Sequence, residues 1–376
     1  MSNLLLASFG EVMSYIGYIL LALLVLLVMI TVHELGHYIA GKIFGFKIDE
    51  FAIGFGPKIF KKEKKDGEIF SVRLLPLGGF CAFHGEDEEK GKEDKDAFNN
   101  KPAWQRIIVL ISGALMNYLL AVVIIALMFG IYGHTALVTY YVDGPTAEYA
   151  TEYSFQEKDV IIKANGKNVY LLTDLMDAIS GKNQGDNVNF TVIRGGKTQN
   201  ITVTLRGSAN FNNVEDLEKL YHCLGVSYQV DGEGQITQSG LYSTGIKLDF
   251  FETVGRSFEY SFMLAGSIFK ILGQLITGSL GLNSMGGTIT TISVTADAIR
   301  VGGFRNLLNI ASFIGVNLAV FNLLPFPALD GSRVVFTAIE WIFKKPVNRK
   351  VEGIIHTVGL VLLLLFAVIL DLQRCF

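Results

Sequence analysis

The chain has 376 residues, 50% of them hydrophobic, a formal net charge of −3 and a mean hydropathy of +0.41. That is more apolar sequence than a soluble domain of this length needs, and a slightly acidic chain carries no electrostatic footprint for nucleic acid. Cys81, Cys223 and Cys375 are too scattered to form a metal cluster or a disulfide framework.

The first apolar run, about residues 14–41, has no basic stretch before it and no small-residue cleavage site after it. It reads as a retained transmembrane helix that ends in His33-Glu34-Leu35-Gly36-His37. Residues 46–60 and 68–83 read as β structure, with a hairpin formed by 51–60 and 69–82. The stretch 85–101 is acidic, lysine-rich and solvated. A second crossing follows at about 105–131.

Residues 134–249 are soluble in character. Within them, 159–206 read as strand, short strand, helix, strand, turn and strand, with turns at Asn165-Gly166 and Gly195-Gly196. Residues 207–246 are polar and Gly-rich and receive no assignment. The stretch 254–278 carries Arg256, Glu259 and Lys270 and reads as an interfacial amphipathic helix in preference to a crossing. A third crossing lies within about 305–329 and a fourth at about 353–371.

The basic residues orient these segments. Lys58, Lys61, Lys62, Lys64 and Lys65 follow the first crossing, and Lys344, Lys345, Arg349 and Lys350 precede the last. Residues 1–13 and 132–157 contain neither Lys nor Arg. The two basic loops are therefore expected in the cytoplasm, with the N-terminus, the central region and the C-terminus outside.

The chemistry concentrates in HELGH. His33 and His37 are one helical turn apart, so both imidazoles reach one zinc ion. Glu34, between them, is placed to take a proton from a water made acidic by the metal. Ionisable groups in an apolar helix are costly and mark function. A catalytic zinc takes three protein ligands, and the best third candidate is Asp330 in FNLLPFPALDGSR, where Pro325 and Pro327 break the helix. On residue type alone, Asp330 reads equally well as an interfacial residue beyond a proline kink. Asn322 is read as a donor to substrate backbone or developing oxyanion, and Asn117 as interhelical glue. His84, His134, His222 and His356 have no ligand spacing and are set aside.

HELGH near one end and NLLPFPALDG near the other resemble the site-2 protease family, in its bacterial RseP/RasP branch. GFGPKIF, LLPLGGF, DAFNNKPAWQRIIVLISGALMN and the stretch from Gly255 through Gly331 extend the resemblance over most of the chain. It implies zinc ligands at His33, His37 and Asp330, a catalytic base at Glu34 and a substrate role for Asn322. The chain departs from the pattern at Asp330-Gly331-Ser332, Gly113-Ala114, Gly286-Gly287-Thr288-Ile289-Thr290 and Glu157-Lys158-Asp159.

The expectation is a polytopic α-helical membrane protein with about four transmembrane helices, a membrane-associated β-hairpin region and one extracytoplasmic PDZ-like α+β domain. Its expected parts are a first helix (1–41), hairpin region and acidic loop (42–103), second helix (104–133), PDZ-like domain (134–206) and an associated segment (207–253). An interfacial segment (254–304), a third transmembrane segment (305–343) and a basic loop with the fourth helix (344–376) complete it. Such a protein is expected in the bacterial cell membrane, in the lipid bilayer, with the active site near the cytoplasmic face. Its expected substrates are single-pass membrane proteins such as pre-trimmed anti-sigma factors or remnant signal peptides. A non-catalytic membrane PDZ protein derived from a protease is the alternative. A metal transporter is disfavoured by the absence of inverted repeats.

Overall fold

The computed structural model describes residues 9–86, 94–140, 155–211, 216–230, 236–278, 286–345 and 347–373. Cys375 and part of the acidic loop lie outside them. The chain divides into two compact units, residues 1–128 with 254–376, and residues 129–253.

The first unit holds most of the helices. Helix α1 spans Phe9–Ile43, α2 Ala103–Tyr132, α5 Phe250–Ile276, α6 Thr288–Leu323, α7 Asp330–Phe343 and α8 Arg349–Gln373. Four of them, over Val12–Ile43, Ala103–Tyr132, Ile289–Leu323 and Lys350–Leu372, are long and apolar enough to cross a bilayer. Leu20, Leu24 and Val28 on α1 and Leu362, Leu364 and Leu365 on α8 stay exposed. An apolar solvent would accept such a surface and water would not.

Strands β1 (Ile48–Glu63) and β2 (Ile69–Phe83) pair antiparallel, with Ile48 opposite Phe83 and Glu63 opposite Ile69. The base of this hairpin is a buried cluster of Phe46, Ile48, Phe83 and Phe98 with Val109 and Leu110 of α2. Phe83 and Phe98 stack obliquely with ring centres 5.0 Å apart. The hairpin is thereby fixed to both α1 and α2, beside HELGH.

The third crossing differs from its sequence expectation in two ways. Helix α6 begins at Thr288 and passes through Gly303, whose φ of 58° and ψ of −142° interrupt the helix. Asp297, Arg300 and Arg305 around that break lower the local hydropathy and hid the first half of the element. At the other end α6 stops at Leu323, because Pro325 and Pro327 remove backbone donors and forbid helix before them. The expected single segment 305–343 is thus the end of α6, a non-helical link and α7. At 14 residues α7 is about 21 Å long, too short to cross.

Helix α5 is amphipathic as expected, and its charges keep it out of the four apolar helices. Its Ile268 nevertheless packs with Ala121 of α2 and Val316 and Val320 of α6. Ser261 and Tyr118 share a 2.7 Å hydrogen bond between their hydroxyls. The helix is therefore built into the bundle.

The second unit is an antiparallel sheet in the order β10-β3-β4-β6-β7, with β5 on β4. The strands are β3 His134–Thr139, β4 Val160–Ala164, β5 Lys167–Asn168, β6 Asn187–Arg194, β7 Lys197–Thr204 and β10 Leu241–Ile246. Helices α3 (Leu172–Ile179) and α4 (Leu217–Leu224) accompany it, as does a separate pair, β8 (Tyr228–Val230) with β9 (Ile236–Ser239). Val188, Phe190 and Val192 alternate into its core with Ile161, Leu175 and Leu220. The expected boundary at residue 206 does not hold. Strand β10 pairs along β3, and Leu220 and Leu224 of α4 share the core, so 207–253 is part of the same unit. A pairing between residues a hundred positions apart leaves no periodicity to read.

Candidate metal centre

The site is built on the last third of α1. His33 and His37 lie on one face, 8% and 7% exposed, with Nε2 atoms 3.2 Å apart. Asp330 Oδ2 is 2.9 Å from His33 Nε2 and 3.3 Å from His37 Nε2. A tetrahedral ion bound at about 2.0–2.1 Å would separate its donors by about 3.3 Å. The three atoms therefore already sit at zinc-ligand spacing, in a two-nitrogen, one-oxygen set that suits zinc. Among the described residues this is the group of His, Cys, Asp and Glu that could hold a metal.

Asp330 reaches the histidines because a new helix starts there. Leu329 is extended, at φ −101° and ψ 157°, and α7 begins with Asp330. The following Gly331 is required by close approach, since a Cβ there would meet Leu324 O at 2.3 Å. Ala328 takes the left-handed conformation at φ 75° and donates its N–H to His356 Nδ1 of α8 at 3.1 Å. His356, set aside in the sequence, thus holds the backbone two residues before the third ligand candidate.

Helix α2 packs tightly against α1, and its residues meet the histidines at four-residue spacing. His37 Nδ1–H donates to Val109 O at 2.8 Å. A Cβ at Gly113 would lie 2.4 Å from His37 Nε2 and 2.8 Å from His33 Cε1. Asn117 Nδ2 lies 3.4 Å from His33 Nδ1. Because His37 meets Val109 while His33 meets Asn117, the two helices run in opposite directions here. Gly36 makes the approach possible, with its would-be Cβ 2.3 Å from Ser112 O. Asn322, in the last turn of α6, also brings its Nδ2 to 3.4 Å from His33 Nδ1.

Glu34 faces β2, where its carboxylate accepts a hydrogen bond from the Cys81 backbone. It shares a cavity of about 600 Å³ with His37, Asp330, Cys81, Arg333 and His356. Burial, then the neighbouring Glu34 charge, push the Cys81 thiol up. On β1, burial raises Glu50, but hydrogen bonds from Ser71, Arg73 and Lys58 outweigh it and hold the carboxyl at about 2. These fixed charges stiffen the hairpin beside the cavity.

The sequence model of Peptidase family M50 matches residues 21–366. The chain belongs to that family. A Clostridium perfringens protein named as a zinc metalloprotease is 33% identical over 360 residues, covering 95% of this chain and 98% of its own. The Bacillus subtilis regulator of sigma-W protease RasP is 28% identical over 433 residues, covering 93% and 96%. A solved PDZ domain from Listeria monocytogenes overlaps 29% of this chain and 88% of its own at 17% identity, with a TM-score of 0.16, too low to assign a fold. This M50 peptidase is accordingly a membrane zinc metalloprotease of the site-2 protease family.

Sequence reading did not assign four residues that support the site. Val109 acts through a backbone carbonyl, which no residue type announces. Gly36 and Gly113 were legible as small residues in apolar helices, where close packing selects them. His356 had no ligand spacing because it serves the backbone, as acceptor for the Ala328 N–H.

Proposed function

We propose that this M50 peptidase hydrolyses peptide bonds within or near the transmembrane segments of single-pass membrane proteins. Pre-trimmed anti-sigma factors and remnant signal peptides are the substrate types, cut in regulated intramembrane proteolysis. The observation that carries this reading is the convergence of His33, His37 and Asp330 beside Glu34 on a helix apolar enough to cross the bilayer.

His33, His37 and Asp330 would hold the zinc, which when bound would supply Lewis acidity toward a peptide carbonyl and acidify water. Glu34 takes the proton of the attacking water and hands it to the departing amine, as general base and then general acid. Asn322, half-exposed at the end of α6, donates its amide N–H to the substrate backbone or the developing oxyanion. A transmembrane helix hides its carbonyls in its own hydrogen bonds and must be unwound before it is cut. Strand β2, an edge of its two-stranded sheet, passes Glu34 and offers backbone groups to an extended substrate.

The basic loops after α1 and before α8 support an orientation with the end of α1, and with it the site, near the cytoplasmic face. The second unit, PDZ-like, then lies outside and screens substrates by the size of what remains of their ectodomain. Co-expression with a single-pass reporter lacking its ectodomain tests the reading. Cleavage by the wild type and none by Glu34→Gln is expected; equal cleavage by both would overturn it.

A further inference from the structure

The two asparagines that approach His33 do not have the same environment. Asn117 is 0% exposed, and its Oδ1 is buried with no hydrogen-bond partner among the described residues. Asn322 is only partly buried, at the end of α6. Both point an amide toward His33 Nδ1 at 3.4 Å.

Metal ligation by His33 Nε2 decides what Nδ1 needs. A neutral imidazole carries one proton, so ligation through Nε2 leaves that proton on Nδ1. Nδ1–H is then a donor and requires an acceptor. An amide NH2 is a donor too and cannot serve. The oxygen and nitrogen of a carboxamide occupy nearly the same volume, and half a turn of the amide exchanges them. His37 already has its acceptor in Val109 O. Among the described residues no backbone carbonyl is bonded to His33 Nδ1, which meets only the two asparagine amides.

We infer that Asn117 is the positioning residue for His33, accepting the Nδ1–H hydrogen bond on its otherwise unpartnered Oδ1 and so fixing the imidazole to present Nε2 to zinc. The inference rests on the metal-centre reading above. It divides the two asparagines by role: the buried one orients a ligand, and the half-exposed one stays free for substrate. It also explains the four-residue rhythm of α2, where Val109 and Asn117 supply one acceptor to each histidine and Gly113 clears the space between them.

Zinc affinity of the full chain in detergent, measured by competition with a chelator, tests this without any turnover. Asn117→Leu removes the acceptor at similar volume and should weaken zinc binding roughly 10- to 100-fold. Asn117→Asp offers only acceptors when ionised and should bind zinc within about threefold of the wild type, since the hydrogen bond is preserved. Asn322→Leu should leave zinc affinity unchanged. Wild-type affinity in Asn117→Leu would overturn the assignment, as would a loss in Asn322→Leu in its place. If Asn117→Leu does not fold, Asn117→Asp still decides: a tenfold loss there means the amide nitrogen was the needed group and contradicts the inference. A wild type that takes up no zinc would instead remove the metal centre itself.

Discussion

His37 Nδ1–H donates to the backbone carbonyl of Val109 at 2.8 Å, while Nε2 of the same ring lies 3.3 Å from Asp330 Oδ2. One hydrogen bond between helices thus sets the ring orientation of a candidate metal ligand. The donor is a side chain on α1 and the acceptor is main chain on α2, so the site depends on how closely the two helices approach.

Gly113→Ala tests that closeness. The added methyl would sit 2.4 Å from His37 Nε2, so a ring or a helix must move. Alanine favours the helix itself by about 1 kcal/mol, so a general loss of helix is not expected. Zinc affinity should fall at least about tenfold, in the range seen when ligand orientation is lost. Chelator competition reads the change, and unaltered affinity would mean the helices are less tightly packed than described.

His356→Leu tests the link before α7. Ala328 is held at φ 75° by its hydrogen bond to His356 Nδ1. Removing the acceptor leaves a partly buried backbone donor without this bond, at about 1 kcal/mol, on a residue that already disfavours its conformation. Asp330 should then sample positions away from the histidines. Weaker zinc binding and a lower Tm are expected, with Glu34 chemistry otherwise intact.

Arg106 and Glu340 anchor the same helix from its far end. Arg106, 2% exposed on α2, makes two hydrogen bonds of 3.2 and 2.7 Å to the Glu340 carboxylate on α7. Arg106→Met removes both of these hydrogen bonds and should cost up to about 3 kcal/mol, less than for a wholly buried pair because Glu340 keeps some solvent. The double change Arg106→Met with Glu340→Met should recover most of that loss. Thermal unfolding of the three variants checks the cycle.

Much of the site was written in the sequence, and its limits have physical causes. The histidine spacing and the apolar periodicity around it survive in one dimension, because a helix turns i and i+4 onto one face. Asp330 was one of two equal readings on residue type, since nothing local shows that a helix starting after two prolines returns to α1. The pairing of β10 with β3 and the reach of Val109 to His37 are long-range, and neither has a residue-type signature. The front half of α6 was lost because its charges dilute the hydropathy that marks a crossing.

Acidity provides a separate check at the hairpin. His84 bonds first to Asp94 and then to Asp49, and these carboxylates hold its pKa above the ordinary value. Its folded pKa is raised, so its stabilisation is fully present below the unfolded value of about 6.5 and is lost as pH rises through the folded value. Amide exchange of residues 94–100 should therefore quicken as pH passes above neutrality, after correction for intrinsic rates. In His84→Gln that extra pH dependence should vanish.

If the reading proposed above holds, His33, His37 and Asp330 bind one zinc ion that Glu34 uses to cut a membrane-embedded peptide. The most direct test is zinc stoichiometry and cleavage measured together on the purified full chain in liposomes with a single-pass substrate. The account predicts one zinc and cleavage in the wild type, one zinc without cleavage in Glu34→Gln, and neither in Asp330→Asn. Zinc retained at full affinity by Asp330→Asn, or cleavage by Glu34→Gln at the wild-type rate, would contradict it.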